Sequence, residues 1–297
     1  MIYNNILETI GNTPLIRINK SNLNKDVEIY AKIEGVNPGG SIKDRIAMKM
    51  IEVAEAVGSL TKNKTIIEAT SGNTGIALAM IGVVKGYKVE IVMSEAVSIE
   101  RRKMISFFGA KIILTDGEKG TDGAIKKVRE LVKNNPEKYY HTDQYSNQNN
   151  KLAHYENTAK EIWEQTNGQI DYFVASIGTS GTLMGVASYL KEFNPEIKIV
   201  SAEPVEGHYI QGLKNMNEAI IPAIYDKDKL DEIIMIDTAE AWQTARRIIK
   251  EEGIFVGMSS GAAMLASLQL AEKVGSGKIV TIFPDRGEKY LSTVFFA

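Results

Sequence analysis

The chain has 297 residues, 44% hydrophobic and 24% charged, with a formal net charge of −2, which suits a folded globular protein long enough for two lobes. So balanced a charge excludes the basic footprint of a nucleic-acid binder or membrane-surface protein, and the interspersed lysines and glutamates read as solvated faces. There are no cysteines, which excludes disulfides, thiolate nucleophiles and cysteine-based metal sites. His141, His154 and His208 are too scattered for a zinc pattern, so each reads as structural and no metal is expected. The start, Met1-Ile2-Tyr3-Asn4-Asn5, has no basic-then-apolar pattern, and no apolar run approaches the roughly 20 residues that span a bilayer. A cytoplasmic protein is the expectation.

In chain order, the first segment with chemical content is Asn37-Pro38-Gly39-Gly40-Ser41-Ile42-Lys43-Asp44-Arg45, a tight turn entering a helix. Ser41 can cap, and Asp44 three residues later completes a capping-box-like pattern. Ile42, Ile46, Met50 and Ile51 recur at helical spacing and predict a buried face. Lys43 falls in the first turn, where the positive end of the helix dipole opposes an ammonium and favours the neutral amine that attacks an aldehyde. Taken alone, it reads rather as a surface lysine in a first turn, and the chemical reading gains only when the other loops are counted with it.

Strands are predicted at Thr65–Ala69, Lys88–Met93, Lys111–Leu114, Tyr172–Ser176, Lys198–Ala202 and Lys278–Phe283. Helices are predicted at Ile76–Val84, Ser98–Phe108 and Asp122–Lys133. Continuous apolar strands separated by helical crossovers predict an α/β fold with mostly parallel sheets, helices covering both faces. No linker or repeat marks a boundary.

Two loops open helices. Thr70-Ser71-Gly72-Asn73-Thr74-Gly75 gathers hydroxyls, an amide and flexible backbone at a helix start, which suits a carboxylate or phosphate; its plain alternative is a capped βα turn. Gly178-Thr179-Ser180-Gly181-Thr182 lets backbone amides approach an anion closely and makes a cradle for a phosphate monoester. It is neither a Walker A loop nor the dinucleotide fingerprint G-x-G-x-x-G, and by itself it leaves a nucleotide-binding fold open. Two further clusters, Gly257-Met258-Ser259-Ser260-Gly261-Ala262 and Pro284-Asp285-Arg286-Gly287-Glu288-Lys289-Tyr290, complete a set of loops expected at the C-terminal ends of the strands, where open parallel sheets bind ligands.

Together these segments resemble the fold-type-II pyridoxal-phosphate (PLP) enzymes, specifically the cysteine synthase (O-acetylserine sulfhydrylase) family and within it the B isoform. The resemblance begins at Ile10-Gly11-Asn12-Thr13-Pro14-Leu15. It continues through Asn37–Arg45, Glu68–Ala77, Glu100-Arg101-Arg102, Gly178–Thr182 and Gly257–Ala263, and ends at Tyr290-Leu291-Ser292-Thr293. It implies two open, mostly parallel sheets of the tryptophan synthase β type. Residues 1–42 with 148–297 would form a large PLP-binding domain, and 43–147 a smaller mobile one that closes on substrate. By position, the resemblance makes Lys43 the lysine that links to PLP and moves the α-proton. Asn73 becomes the partner of the cofactor's ring oxygen, Gly178, Thr179, Ser180, Gly181 and Thr182 the phosphate cup, and Ser259 the hydroxyl facing the pyridine nitrogen. Thr70, Ser71, Asn73, Thr74 and Gln144 become the binders of the substrate α-carboxylate. Departures from the B isoform stand at Ser94, Val97 and Lys214-Asn215.

The implied reaction is β-replacement of O-acetyl-L-serine, or another activated serine, by sulfide through an aminoacrylate to give L-cysteine. The competing direction, in which cysteine loses sulfide and water or a thiol adds, uses the same site. A nucleotide-dependent oxidoreductase lacks its fingerprint here, and an inactive scaffold has no support because every carried-over position holds a competent residue. A homodimer is the family expectation, and association with serine acetyltransferase is not legible in the sequence.

Overall fold

The structure is a computed structural model that describes residues 2–70 and 72–296. Its strands, in chain order, are β1 (Leu15–Ile18), β2 (Val27–Ile33), β3 (Thr65–Ala69), β4 (Lys88–Ser94), β5 (Lys111–Thr115), β6 (Tyr139–His141), β7 (Tyr172–Ser176), β8 (Lys198–Pro204), β9 (Glu232–Ile236) and β10 (Gly277–Phe283). The chain divides into two compact units, one of Met1–Ile10, Asn37–Asn150 and Lys289–Ala297, the other of Gly11–Val36 and Lys151–Glu288.

The first unit is built on a four-stranded sheet in the order β5-β4-β3-β6, with every pair parallel. Alternation along β3 and β4 sends side chains to both faces, and both are buried. Ile66, Ile91 and Met93 join one core with the apolar side of helix Asn73–Lys85, while Ile67, Ala69 and Val92 join another with Ala124, Ile125 and Val128 of helix Gly120–Asn134. Such two-sided burial is why these strands read as unbroken apolar runs. Both chain ends join this unit: Leu7 is buried in the first core, and Tyr290 and Phe295 are buried with their rings edge-on at 6.1 Å. The observed boundaries at 36/37 and 150/151 stand beside the expected 42/43 and 147/148.

The second unit carries a six-stranded sheet in the order β1-β2-β10-β7-β8-β9. β1 is antiparallel to β2 and the remaining pairs are parallel. Phe173, Val174, Ile199, Val200, Ile279 and Val280 are 0–1% exposed in its middle. Helices Thr238–Glu252 and Met258–Lys273 pack together through Gly261, where a Cβ would lie 2.8 Å from Ala245 Cβ and would collide with the Ala241 carbonyl.

The α/β architecture with two mostly parallel sheets is the one expected. Three local details differ from the sequence reading. The helix after β3 begins at Asn73 rather than Ile76. Gly72 adopts φ 131°, and Gly75 lacks the Cβ that would press within 2.9 Å of Ile105, so Asn73 and Thr74 already stand on the first helical turn. The capping box at Ser41 does not form. Ser41 Oγ accepts from the Lys43 N–H at 3.2 Å, but the Asp44 carboxylate accepts from Gly39 N–H at 2.5 Å instead. Only a glycine leaves that approach open, because a Cβ at 39 would meet the carboxylate oxygen. Finally, the cluster at 257–262 follows helix Thr238–Glu252 and not a strand. It reaches the C-terminal end of β10 through a bridge between Val256 and Arg286 and a Gly257 N–H bond to the Asp285 carbonyl at 3.2 Å.

Gly261→Ala should lower stability by about 1–3 kcal/mol through overpacking, although alanine is the better helix former by roughly 1 kcal/mol. A melting temperature equal to or above that of the parent protein would show that the two helices are not in this contact.

Candidate functional site

In the first unit, the loop after β3 and the residues after β6 are tied together by side chains. Thr70 Oγ1 accepts from the Gly72 N–H at 3.0 Å. Thr74 hydroxyl donates to Gln144 Oε1 at 2.7 Å, and Gln144 Nε2 donates to the Ala69 carbonyl at 2.8 Å. Gln144 is therefore held at both ends of its amide, which fixes the amide's orientation. Thr70, Thr74 and Gln144 are all buried. Ser71 lies outside the described residues.

Beneath them sits Glu68, fully buried at the penultimate position of β3. Its carboxylate accepts from the Ala69 N–H at 2.8 Å, from the Gln144 N–H at 3.1 Å and from the Thr142 hydroxyl. His141 Nε2 lies 3.9 Å away. Burial lowers the His141 pKa, but the adjacent Glu68 outweighs it and holds the imidazole above its ordinary value. A buried carboxylate needs this many donors, since an uncompensated charge there is costly. The arrangement serves as a strut under the Gln144 loop.

Lys43 is half-buried at the start of helix Lys43–Ala56; Ile42 just before the helix and Ile46, Met50 and Ile51 within it are 0–1% exposed, as their spacing predicts. The turn before it is joined to Asn73 by a residue to which the sequence reading gave no role. Lys289 is 4% exposed, and its ammonium donates to the carbonyls of Gly39 (3.1 Å) and Gly40 (2.8 Å) and to Asn73 Oδ1 (3.1 Å). Gly40, at φ 78°, has no Cβ to press on that ammonium. The available signal was only that Lys289 stands within the glycine-containing cluster after β10.

In the second unit, Gly178, Thr179, Ser180, Gly181 and Thr182 form one turn between β7 and helix Gly181–Phe193. Gly178 packs against the Gly212 carbonyl so tightly that any Cβ would collide with it. Ser180 takes a left-handed conformation, φ 68°, that is uncommon for a non-glycine residue. Its Oγ is buried without a hydrogen-bond partner, an arrangement that costs free energy until an acceptor arrives. With the free amides of a helix start beside it, this hydroxyl fits an anion such as a phosphate monoester. Thr182 Oγ1 lies 3.3 Å from His154 Nε2, and His154 Nδ1 lies 2.9 Å from Thr158 Oγ1. The ring is thereby fixed at both nitrogens in a π-helical stretch, His154–Ala159. Ser259 is buried on the first turn of helix Met258–Lys273. Among the described residues, no group of three or more His, Cys, Asp or Glu could hold a metal ion, and no helix is long and apolar enough to cross a membrane.

The profile of the family described as "Pyridoxal-phosphate dependent enzyme" matches residues 6–285. The cysteine synthase of Aquifex aeolicus is 50% identical over 98% of this chain and 92% of that protein. The solved structure of a cysteine synthase from Entamoeba histolytica superposes with a TM-score of 0.93 at 46% identity, covering 100% of this chain and 91% of that one. That of a hydrogen sulfide-producing enzyme from Fusobacterium nucleatum gives 0.93 at 44%, covering 98% and 100%.

Glu68→Ala removes the acceptor from three buried donors at once and should cost about 3 kcal/mol or more. Denaturant unfolding checks this, and a loss below about 0.5 kcal/mol, the scale of a surface change, would mean that Glu68 does not brace the loop.

Proposed function

Because the chain belongs to the pyridoxal-phosphate dependent enzyme family, we propose that it makes L-cysteine from O-acetyl-L-serine, or another activated serine, and sulfide by β-replacement. The observation that carries this reading is the pairing, within one unit, of the Lys43 turn with a carboxylate-type loop whose Thr74 and Gln144 are already locked together. Bound pyridoxal phosphate supplies an electron sink for the charge left on the substrate's α-carbon.

The chain's own residues divide the remaining work. Lys43 would hold the cofactor through its aldehyde, and its Nζ would be the group that takes and returns the substrate's α-proton. The amides and hydroxyls of Gly178, Thr179, Ser180, Gly181 and Thr182 hold the phosphate, which supplies the acceptor that the Ser180 hydroxyl lacks. Asn73 donates to the ring oxygen. Ser259 would be the hydroxyl at the pyridine nitrogen, where, unlike a carboxylate, it would not enforce protonation, and loss of a β-substituent would be favoured over racemisation or transamination. Thr70, Ser71, Asn73, Thr74 and Gln144 bind the α-carboxylate through hydroxyl and amide donors. The segment 43–147 is the one that moves on carboxylate binding, shielding the reacting carbon from water. The protein works as a cytoplasmic homodimer, which light scattering on the purified protein tests for assembly.

Borohydride reduction followed by peptide mass spectrometry should find the cofactor fixed on Lys43, and Lys43→Ala should lose β-replacement by at least about 10³-fold. Specificity constants for O-acetylserine, phosphoserine and cysteine then decide the direction. O-acetylserine should lead, and a clear lead for cysteine would replace the proposal with sulfide release in the same site.

A further inference from the structure

Two motifs have no role in this scheme, Glu100-Arg101-Arg102 and Tyr290-Leu291-Ser292-Thr293, and the fold joins them. The Ser292 N–H and hydroxyl donate to the two carboxylate oxygens of Glu100 at 2.7 and 2.8 Å. The Arg101 guanidinium lies 4.3 Å from the ring centroid of Tyr290, a cation–π distance. Ser98 hydroxyl donates to the Lys289 carbonyl at 2.7 Å. Arg101 also runs so close beneath Gly72 that a Cβ there would collide with its side chain. The C-terminal segment is thus fastened to helix Ile99–Phe107, and Arg101 of that helix lies against the loop that carries Asn73. Lys289 is the product of this fastening: a buried ammonium with Gly39 O, Gly40 O and Asn73 Oδ1 around it.

An ammonium has three donors and no acceptor, so only the oxygen end of the Asn73 amide can face it. The flipped amide would set N–H groups against a buried cation and forfeit a charge-assisted bond. The NH2 end of Asn73, which can only donate, is therefore turned away from Lys289. The same cation grips the two carbonyls of the turn from which Lys43 emerges, fixing that turn relative to Asn73.

We propose that Lys289 is a positioning residue for the cofactor. It locks the Asn73 amide as a donor toward the cofactor's ring oxygen and couples it to the Lys43 turn, with the Glu100-Arg101 and Tyr290–Thr293 motifs serving to deliver it. This rests on the reading that Lys43 and Asn73 hold one cofactor.

The test compares the parent protein with Lys289→Met, Lys289→Arg, Asn73→Ala and the Lys289→Met/Asn73→Ala double variant. The readouts are the visible spectrum of the bound cofactor, its pH dependence, and the dissociation constant from titrating apo-protein with pyridoxal phosphate. Loss of one charge-assisted hydrogen bond corresponds to about tenfold or more in affinity. Lys289→Met should therefore bind about tenfold more weakly and shift the visible band. Lys289→Arg should restore much of both, and the double variant should bind less weakly than the product of the two single losses, because part of the Lys289 effect runs through Asn73. A parent-like spectrum and affinity for Lys289→Met would overturn the inference, as would effects that multiply in the double variant. If Lys289→Met does not fold, Lys289→Gln carries the same comparison, since it still donates to the turn but permits the flipped amide. If borohydride fixes no cofactor on Lys43 of the parent protein, the functional reading itself fails; if it does and the Lys289 variants behave like the parent, only the positioning role fails.

Discussion

A parallel strand cannot meet its neighbour without a crossover, so most strands in these two sheets end in a segment that leads to a helix. That constraint organises the chemistry of the protein. The loops after β3 and β7 each lead from a strand into a helix start, the end of a helix whose first N–H groups have no intrahelical acceptor. Such helix starts suit an anion, and Thr74, bonded to Gln144, and Ser180, with its buried hydroxyl, stand at them.

Such loops carry unsatisfied polar groups and have to be held in shape. In the first unit two fully or nearly buried charges do this. Glu68 gathers donors from the end of β3 and from the Gln144 loop, and Lys289 gathers acceptors from the Lys43 turn and Asn73. One strut is an anion fed only by donors and the other a cation fed only by acceptors, so each fixes the polarity of what it touches. A neutral amide or hydroxyl in the same place would tolerate flips and leave the loops with alternative arrangements. In the second unit the turn after β7 is shaped differently, by close backbone packing at Gly178 and a left-handed Ser180. Its strain and its unpartnered hydroxyl are the marks of a site shaped for a ligand.

The places where local pattern and structure part share one cause. Ser41 and Asp44 have the spacing of a capping box, yet Asp44 bends to Gly39 because that glycine, lacking a Cβ, leaves an opening that a helix-capping rule does not anticipate. The helix after β3 claims Asn73 and Thr74 because Gly72 and Gly75 let the chain turn within two residues. The serine cluster at 257–262 reaches a strand end only by pairing with the segment after β10. In each case glycine or a distant segment removed a steric limit on which the local expectation depended.

By itself the sequence determined the alternation of strands and helices, the two-sided burial of the sheets, the helical face of Ile42, Ile46, Met50 and Ile51, and the loops that carry hydroxyls and glycines. These are properties of periodicity and composition, set by which side chains can leave water and which backbones can turn. Tertiary structure alone decided that Gln144 meets Thr74 across 70 residues, that Glu68 is a buried strut, and that Lys289, close to the C-terminal end of the chain, sits between Gly40 and Asn73, 216 residues away from the latter. Contacts of that span leave no periodic trace, because sequence spacing encodes only neighbours along one element, while the partner of a buried charge is fixed by whichever distant backbone the sheet order brings beside it.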